Sequence, residues 1–389
     1  MLAEIRDIAI VLLFAKGFGS ILERIGISKS VGEILAGLFV SYFFVSVSQS
    51  SAINVVADLG LLFMVLITLM SIDLSALNKN IERYVFSQIL TASLGIFIIA
   101  SFFSFLGINI SLSLILLASL IGSNTAIALR SLTNLDALNT EDAKSILSLQ
   151  IVNSVVELLL FSIVVNFLST GTFDINILIK LVLILIGIFT ITSRYGTYVI
   201  NFILRILQRF KMEEILLAFT ILLAFTLGAF TETLGLTSLI GVMLVGILFS
   251  KSAASSLLSS KIKELGESFF IPIFFASLGF SASFFIDYKK FLLLFFGLLV
   301  FRFVTYYIPQ RIIGFSRRES IKITLGFISM SSYCLVILGL ALKKGIFTQE
   351  IYSLFTLSYV LINTISPLLI TLSFKFLPYK SRRKIKIKV

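Results

Sequence analysis

The chain has 389 residues, of which 58% are hydrophobic and 13% charged, with a formal net charge of +12. Many apolar runs reach the length that crosses a bilayer, which excludes a water-soluble globule and makes this an all-α polytopic membrane protein. The lack of His and the single Cys, Cys334, argue against an imidazole metal centre, a His-based pH switch and an internal disulfide framework.

Apolar runs between charged or polar breaks define about thirteen spans. They start near Asp7, Lys29, Ile53, Arg83, Ile110, Glu141, Ile175, Lys211, Leu236, Lys263, Lys289, Arg318 and Gln349. The first carries Lys16, is flanked by Glu23 and Arg24, and has no small-residue cleavage site after it, so it reads as a retained span. The second carries Glu33. Asp58 and Asp73 lie near the ends of the third, and Arg130 near the end of the fifth, positions from which a charged side chain can reach the interface.

The fifth span contains IGSNTAIAL, which sets Gly122, Ser123, Asn124 and Thr125 in succession. The twelfth contains ISMSSYCL, with Ser329, Ser331 and Ser332 near its middle. Small, hydroxyl-bearing residues at this depth can satisfy a locally unwound backbone and aim half-helix ends at an ion, so both spans read as interrupted. Close helix packing through small residues is the alternative.

The sixth span contains QIVNSVVELLLFSIV. Gln150, Asn153, Ser154 and Glu157 fall three and four residues apart, forming one polar stripe on an apolar rod. Such a stripe faces protein or water, and an intramembrane carboxylate marks a transport pathway by default. Arg302, in LLVFRFVTYY, occupies a comparable depth in the eleventh span, so the two charges are expected to meet. A lasting bridge that only fastens these two spans together is the structural alternative. The seventh span continues as an amphipathic connector, Thr192 to Phe210, with Arg194, Arg205 and Arg209.

Most of the 32 Lys and Arg residues lie in the links after spans 1, 3, 5, 7, 9 and 11 and in the C-terminal tail YKSRRKIKIKV. Arg6, Lys289, Lys290, Lys343 and Lys344 lie on the opposite side, and Lys16, Lys180 and Arg302 within spans. This asymmetry puts the N-terminus outside and the C-terminus in the cytoplasm, and it accounts for the basic charge without nucleic acid. The tail reads as a juxtamembrane anchor for anionic headgroups, with regulatory lipid recognition the alternative.

The stretch Ile25 to Ser41 repeats as Leu234 to Ser250. Gly26, Gly32 and Gly37 fall opposite Gly235, Gly241 and Gly246, and ADLG at 57–60 recurs as KELG at 263–266. The copies open at spans 2 and 9, an odd number of crossings apart, so they are inverted relative to each other. Inverted repeats are an architecture of secondary transporters, which build two states of similar energy around a midplane site.

With these residues in view, the chain resembles the monovalent cation:proton antiporter-2 family, whose members share the sodium/proton exchanger fold. The resemblance covers nearly the whole chain. It rests on AKGFGSILERIGISKSVGEILAGLFVS at the start, LGLLFMVLITLMSIDLSAL in span 3, SNTAIALRSL in span 5, LTSLIGVMLVGILFS in span 9, FFIPIFFASLGFS in span 10, and RIIGFSRRESIKITLG before span 12.

It implies two crossed, partly unwound helices, here spans 5 and 12, in a core of approximately 83–168 and 289–377. A dimerisation scaffold of approximately 7–73 and 175–283 makes the protein a homodimer, and the core rocks against it. Ion-exchanging relatives carry an Asp pair, or Asn then Asp, in span 6; that pair falls on Asn153 and Ser154, so the second position is a serine here. The basic residue of span 11 matches Arg302. Ser331, Ser332 and Tyr333 stand where relatives often have a charged pair around Gly. Lys16 and Glu33 match motifs of spans 1 and 2 and read as packing or salt-bridging residues.

The expected function is exchange of a monovalent cation, Na⁺ or K⁺, for protons by alternating access. Glu157, one turn beyond Ser154, is the replacement carboxylate, with Arg302 its charge partner. Asn153, Ser154, Thr125 and Asn124 supply neutral oxygens, and Gln150, Ser331 and Ser332 support them. A same-fold transporter of another ion or small solute is one alternative, and an uncoupled channel or sensor is the other. No cofactor or enzymatic chemistry is indicated.

Overall fold

The computed structural model describes residues 2–48, 50–70, 81–105, 115–116, 118–170, 213–233, 238–250 and 255–377. Among them there is no strand. Counting helices of ten residues or more, α1 is Leu2–Arg24, α2 Lys29–Phe43, α3 Ser51–Met70 and α4 Ile81–Phe105. Next come α5 Thr125–Asn134, α6 Glu141–Thr170, α7 Glu213–Thr233, α8 Ser238–Ser250, α9 Ser255–Leu265 and α10 Ile271–Phe280. The chain closes with α11 Tyr288–Ile312, α12 Arg317–Gly326, α13 Tyr333–Lys343 and α14 Gln349–Phe376.

These helices account, at least in part, for every predicted span except the seventh. That span, its connector, Asp73, Lys180, Gly235 and the basic tail lie outside the described residues. Among the described residues, six helices are long and apolar enough to cross a membrane unaided, and Ser238–Ser250 and Tyr333–Lys343 are shorter apolar helices.

Both predicted interruptions are present. The helical residues ending at Leu120 give way to irregular backbone at 122–124 before α5 begins, and α12 stops at Gly326, with six residues between it and α13.

The repeat appears as reciprocal packing. A Cβ on Gly32 of α2 would collide with Phe18 and Gly19 of α1, and one on Gly241 of α8 would collide with Leu227 and Gly228 of α7. Gly37 of α2 lies against Ala276 of α10, whereas Gly246 of α8 lies against Leu69 of α3. Gly60 of α3 meets Phe270, and Gly266 in turn meets Phe63 and Ile67 of α3. Each copy thus packs its small residues on the other copy's following helix, as a pseudo-two-fold arrangement requires. Close approach through glycine is how membrane helices gain packing contact where lipid removes the hydrophobic drive.

Packing divides the helices into two sets. α1, α2, α3, α7, α8, α9 and α10 pack on one another; α4, α5, α6 and α11 to α14 pack on one another. Between α9 and α10 a π-helical segment, Gly266–Phe270, interrupts the regular ladder. Lys16 of α1 donates to the Glu267 carbonyl in that segment at 2.7 Å, so this intramembrane lysine has a structural role. Arg130 of α5 reaches across to α1, bonding the Glu23 carboxylate at 3.2 Å and its carbonyl at 2.9 Å.

Within the second set, Lys322 of α12 and Asp142 of α6 form an ion pair at 2.5 Å, with side chains 4% and 6% exposed. Removing one partner of a buried pair leaves the other charge uncompensated, at about 3–5 kcal/mol. Lys322→Met is therefore expected to lower the melting temperature sharply. Adding Asp142→Leu recovers most of the loss, because two apolar side chains replace the pair without a stranded charge. Melting curves of the parent, single and double variants in detergent check this.

Candidate functional site at the crossing of two broken helices

The two unwound stretches meet. Ser331 N–H donates to the Gly122 carbonyl at 3.2 Å, and the Ser123 and Ser329 hydroxyls stand 3.3 Å apart. Two helix C-termini, at Leu120 and Gly326, therefore present carbonyls with no intrahelical partner, at the negative ends of their dipoles.

Arg302 of α11 fills that position. It is 0% exposed. Its Nε donates to Ile328 O at 2.9 Å and its Nη1 to Leu120 O at 2.5 Å. Nη2 is shared among Gly122 O at 3.0 Å, Phe327 O at 2.6 Å and Ser329 O at 2.6 Å. One guanidinium thus serves five carbonyls from two chain breaks, with the two N–H groups of Nη2 shared among three of them. One turn along α11, Tyr306 donates to Ile121 O and stacks on Phe327 with ring centroids 4.7 Å apart.

Glu157 and Arg302 come close to each other but form no direct ion pair. Arg302 directs its hydrogen bonds to backbone, and the carboxylate of Glu157 is not among its partners. Glu157 sits instead directly against Gly122, whose added Cβ would fall on the carboxylate, and beside the Ser331 hydroxyl. The Gly122 peptide thus lies between the two charges, with its carbonyl on Arg302 and its α-carbon on Glu157. Glu157 is 3% exposed and its Oε1 has no hydrogen-bond partner in the protein.

The polar stripe of α6 is present and buried, with Ser154 half-buried. Gln150 donates to Gly326 O at 2.8 Å and to the Ser123 hydroxyl at 3.5 Å, leaving its Oε1 without a partner. Asn153 lies 3.4 Å from the Tyr306 hydroxyl and its Nδ2 is unpartnered. Ser154 bonds back to Gln150 O at 2.9 Å. Helical side chains lean toward the N-terminus, so Glu157 covers the turn that holds Asn153 and Ser154.

The remaining predicted residues have other partners. Asn124 caps α5, its Oδ1 accepting from Ile127 N at 3.3 Å, and Thr125 is the first residue of that helix, half-buried. Ser332 pairs with the Tyr359 hydroxyl of α14 at 3.3 Å. Two residues at the crossing were missed by the sequence reading, Tyr306 and Asn363. Tyr306 lies four residues after Arg302, on the same face, and Asn363 is an amide within an apolar run, a signal of the same kind as Glu157. A cavity of about 530 Å³, lined by residues such as Tyr42, Phe43, Phe284, Phe285 and Gln349, lies at the ends of α2, α10 and α14 and contains no carboxylate.

The profile of the family described as sodium/hydrogen exchanger, transmembrane, matches residues 9–375. The chain belongs to the sodium/hydrogen exchanger family. Among relatives of this exchanger-family chain is the probable Na(+)/H(+) antiporter GerT of Bacillus cereus. It is 24% identical over 354 residues, spanning 88% of this chain and 92% of GerT. The Na(+)/H(+)-K(+) antiporter GerN of Bacillus cereus is 23% identical over 378 residues, 95% of each chain. Among solved structures, the sodium proton antiporter MjNhaP1 from Methanocaldococcus jannaschii matches with a TM-score of 0.64 at 14% identity. That match covers 97% of this chain and 99% of MjNhaP1, and it establishes the exchanger fold.

Proposed function

We propose that the protein exchanges a monovalent cation, Na⁺ or K⁺, for protons by alternating access, with Glu157 as the carboxylate that holds one or the other. The observation that carries this reading is the Glu157 carboxylate itself. It is buried at the crossing of two unwound stretches, with an oxygen that no protein group satisfies. A buried charge with an unsatisfied oxygen is costly, and either a proton or a cation relieves that cost. Membership of the exchanger family and relatives named as Na(+)/H(+) and Na(+)/H(+)-K(+) antiporters support it.

Asn153 supplies a neutral oxygen. A phenol has one hydrogen, and that of Tyr306 goes to Ile121 O. Tyr306 can only accept from Asn153, whose carboxamide then turns its NH2 to the phenol and its oxygen to the unpartnered position. Ser154 and Thr125, both half-buried, complete an oxygen lining. Arg302 remains fully charged throughout and acts as a fixed positive centre behind Gly122, favouring release of the proton or cation held by Glu157.

With Glu157 the one titrating acid of the stripe, exchange is one for one and electroneutral. The helix set of α4 to α6 and α11 to α14 carries the site and rocks against the other set, which forms the homodimer contact. The N-terminus is outside and the C-terminus cytoplasmic, as the distribution of Lys and Arg favours.

Purified protein in liposomes containing pyranine tests the activity. Addition of Na⁺ or K⁺ is expected to drive proton movement; solute uptake without cation-driven proton flux, or conductance without coupling, overturns the reading. Gly122→Ala adds a methyl group where the carboxylate now lies. Because the acid is flexible, the variant is expected to fold, with a severalfold higher half-saturating cation concentration in the same assay.

A further inference from the structure

The backbone between α12 and α13 is unwound, and inside a membrane each of its N–H and C=O groups must find a partner within the protein. Arg302 takes the carbonyls of Phe327, Ile328 and Ser329 from one side. Met330 is held from the other. Its N–H donates to Asn363 Oδ1 at 2.8 Å, and its carbonyl accepts from Asn363 Nδ2 at 3.1 Å. Asn363 is 0% exposed and sits within α14. One turn earlier on the same helix face, Tyr359 pairs with Ser332.

α14 therefore fastens Met330 and Ser332 and leaves Ser331 between them. Ser331 is the residue whose N–H meets Gly122 O and whose hydroxyl stands beside Glu157. A carboxamide is the side chain that offers an acceptor and a donor side by side, matched to the N–H and C=O of a single residue.

We propose that Asn363 is a positioning residue for the cation site: its clamp on Met330 fixes where Ser331 lies against Glu157 and Gly122, and so sets cation affinity without touching the cation. The inference rests on the exchange reading given under Proposed function. It predicts a chemical signature that a merely structural residue lacks. A protonated carboxylic acid reproduces the carboxamide, its O–H donating to Met330 O and its carbonyl accepting from Met330 N–H. The ionised form has no donor and repels the Met330 carbonyl. Asn363→Asp is thus restored in its acid form and impaired in its ionised form, whereas Asn363→Leu is restored at no pH.

The charged or titratable groups around the clamp are Arg302 across the break, Tyr359 on α14, Tyr333 and Cys334 on α13, and Glu157 on α6. All are present in the parent, so comparison with the parent at each pH removes their contribution. The experiment measures the half-saturating Na⁺ and K⁺ concentrations for proton movement in proteoliposomes over a pH series, using full-length parent, Asn363→Asp and Asn363→Leu.

Asn363→Asp is expected to match the parent at the acid end and to diverge upward as pH rises, by about tenfold, the equivalent of one net hydrogen bond. Its maximal rate stays close to the parent's. Asn363→Leu is raised throughout; should it fail to fold, the isosteric Asp variant carries the test. An Asp variant that tracks the parent at every pH, or that loses maximal rate at unchanged half-saturation, overturns this inference alone. A parent without any response to either cation overturns the exchange reading and this inference with it.

Discussion

Glu157→Gln is expected to reduce cation-driven proton movement in proteoliposomes to the rate of protein-free vesicles, while the protein still folds and reconstitutes. The amide keeps the shape of the protonated acid, so packing against Gly122 and Ser331 survives. What disappears is a group able to exchange a proton for a cation. Among the described residues no nearby acid replaces it: Asp142 is paired with Lys322, and Glu33 belongs to the other helix set, near Lys16 and Lys29. Removing a buried ionisable group also removes its desolvation cost, so the variant is expected to melt at or above the parent's temperature. Parent-like flux from this variant, measured with pyranine at matched protein density, contradicts the role given to Glu157.

The second large effect is at Arg302, and it falls on the fold. Arg302→Ala leaves the carbonyls of Leu120, Phe327, Ile328 and Ser329 without a donor, and leaves Gly122 O with Ser331 N–H alone. At about 1–3 kcal/mol for each buried group left unsatisfied, the loss approaches the whole stability of a typical domain, about 5–15 kcal/mol. The variant is expected to yield no monodisperse peak on size exclusion. Arg302→Lys keeps the charge but concentrates its donors on one compact ammonium, which cannot reach five carbonyls in a fork; it is expected to fold and melt well below the parent.

The double variant Arg302→Ala with Glu157→Gln separates two roles for the arginine. If Arg302 existed to neutralise Glu157, removing both charges would recover the fold. The carbonyl nest predicts no recovery, because neither change restores a donor to Leu120, Phe327, Ile328 or Ser329. Size exclusion of the single and double variants in one detergent distinguishes the outcomes.

Much of the architecture was legible because membrane physics is written in composition. Spans follow from apolar length. The interruptions in spans 5 and 12 followed from Gly122 to Thr125 and from Ser329 to Ser332, since runs of small, polar residues tolerate backbone that has left its helix. The repeat followed from glycines, and the structure returns it as Gly37 against Ala276 and Gly246 against Leu69. That Glu157 and Arg302 are buried was also readable from their place in apolar spans.

The partner of Arg302 was not readable. Two opposite charges at equal depth invite a bridge, but sequence gives no count of the carbonyls that a chain break exposes. Those carbonyls, gathered at two helix C-termini, compete for a guanidinium more effectively than one carboxylate. Backbone acceptors carry no residue signature, so the nest becomes visible only when both breaks are seen to cross. Tyr306 and Asn363 escaped for the same reason, because each serves a main-chain group: Ile121 O for the phenol and Met330 for the amide. Asn124 shows the converse. Its oxygen looked available for a cation, and it caps α5.

The central claim is that one carboxylate is shared between proton and cation. Titration calorimetry of the purified protein with NaCl and KCl, repeated in buffers of different protonation enthalpy, counts the protons released as each cation binds. One proton per bound cation in the parent, and none in Glu157→Gln, is the predicted result. Cation binding that releases no proton, or a release that persists unchanged in Glu157→Gln, contradicts it.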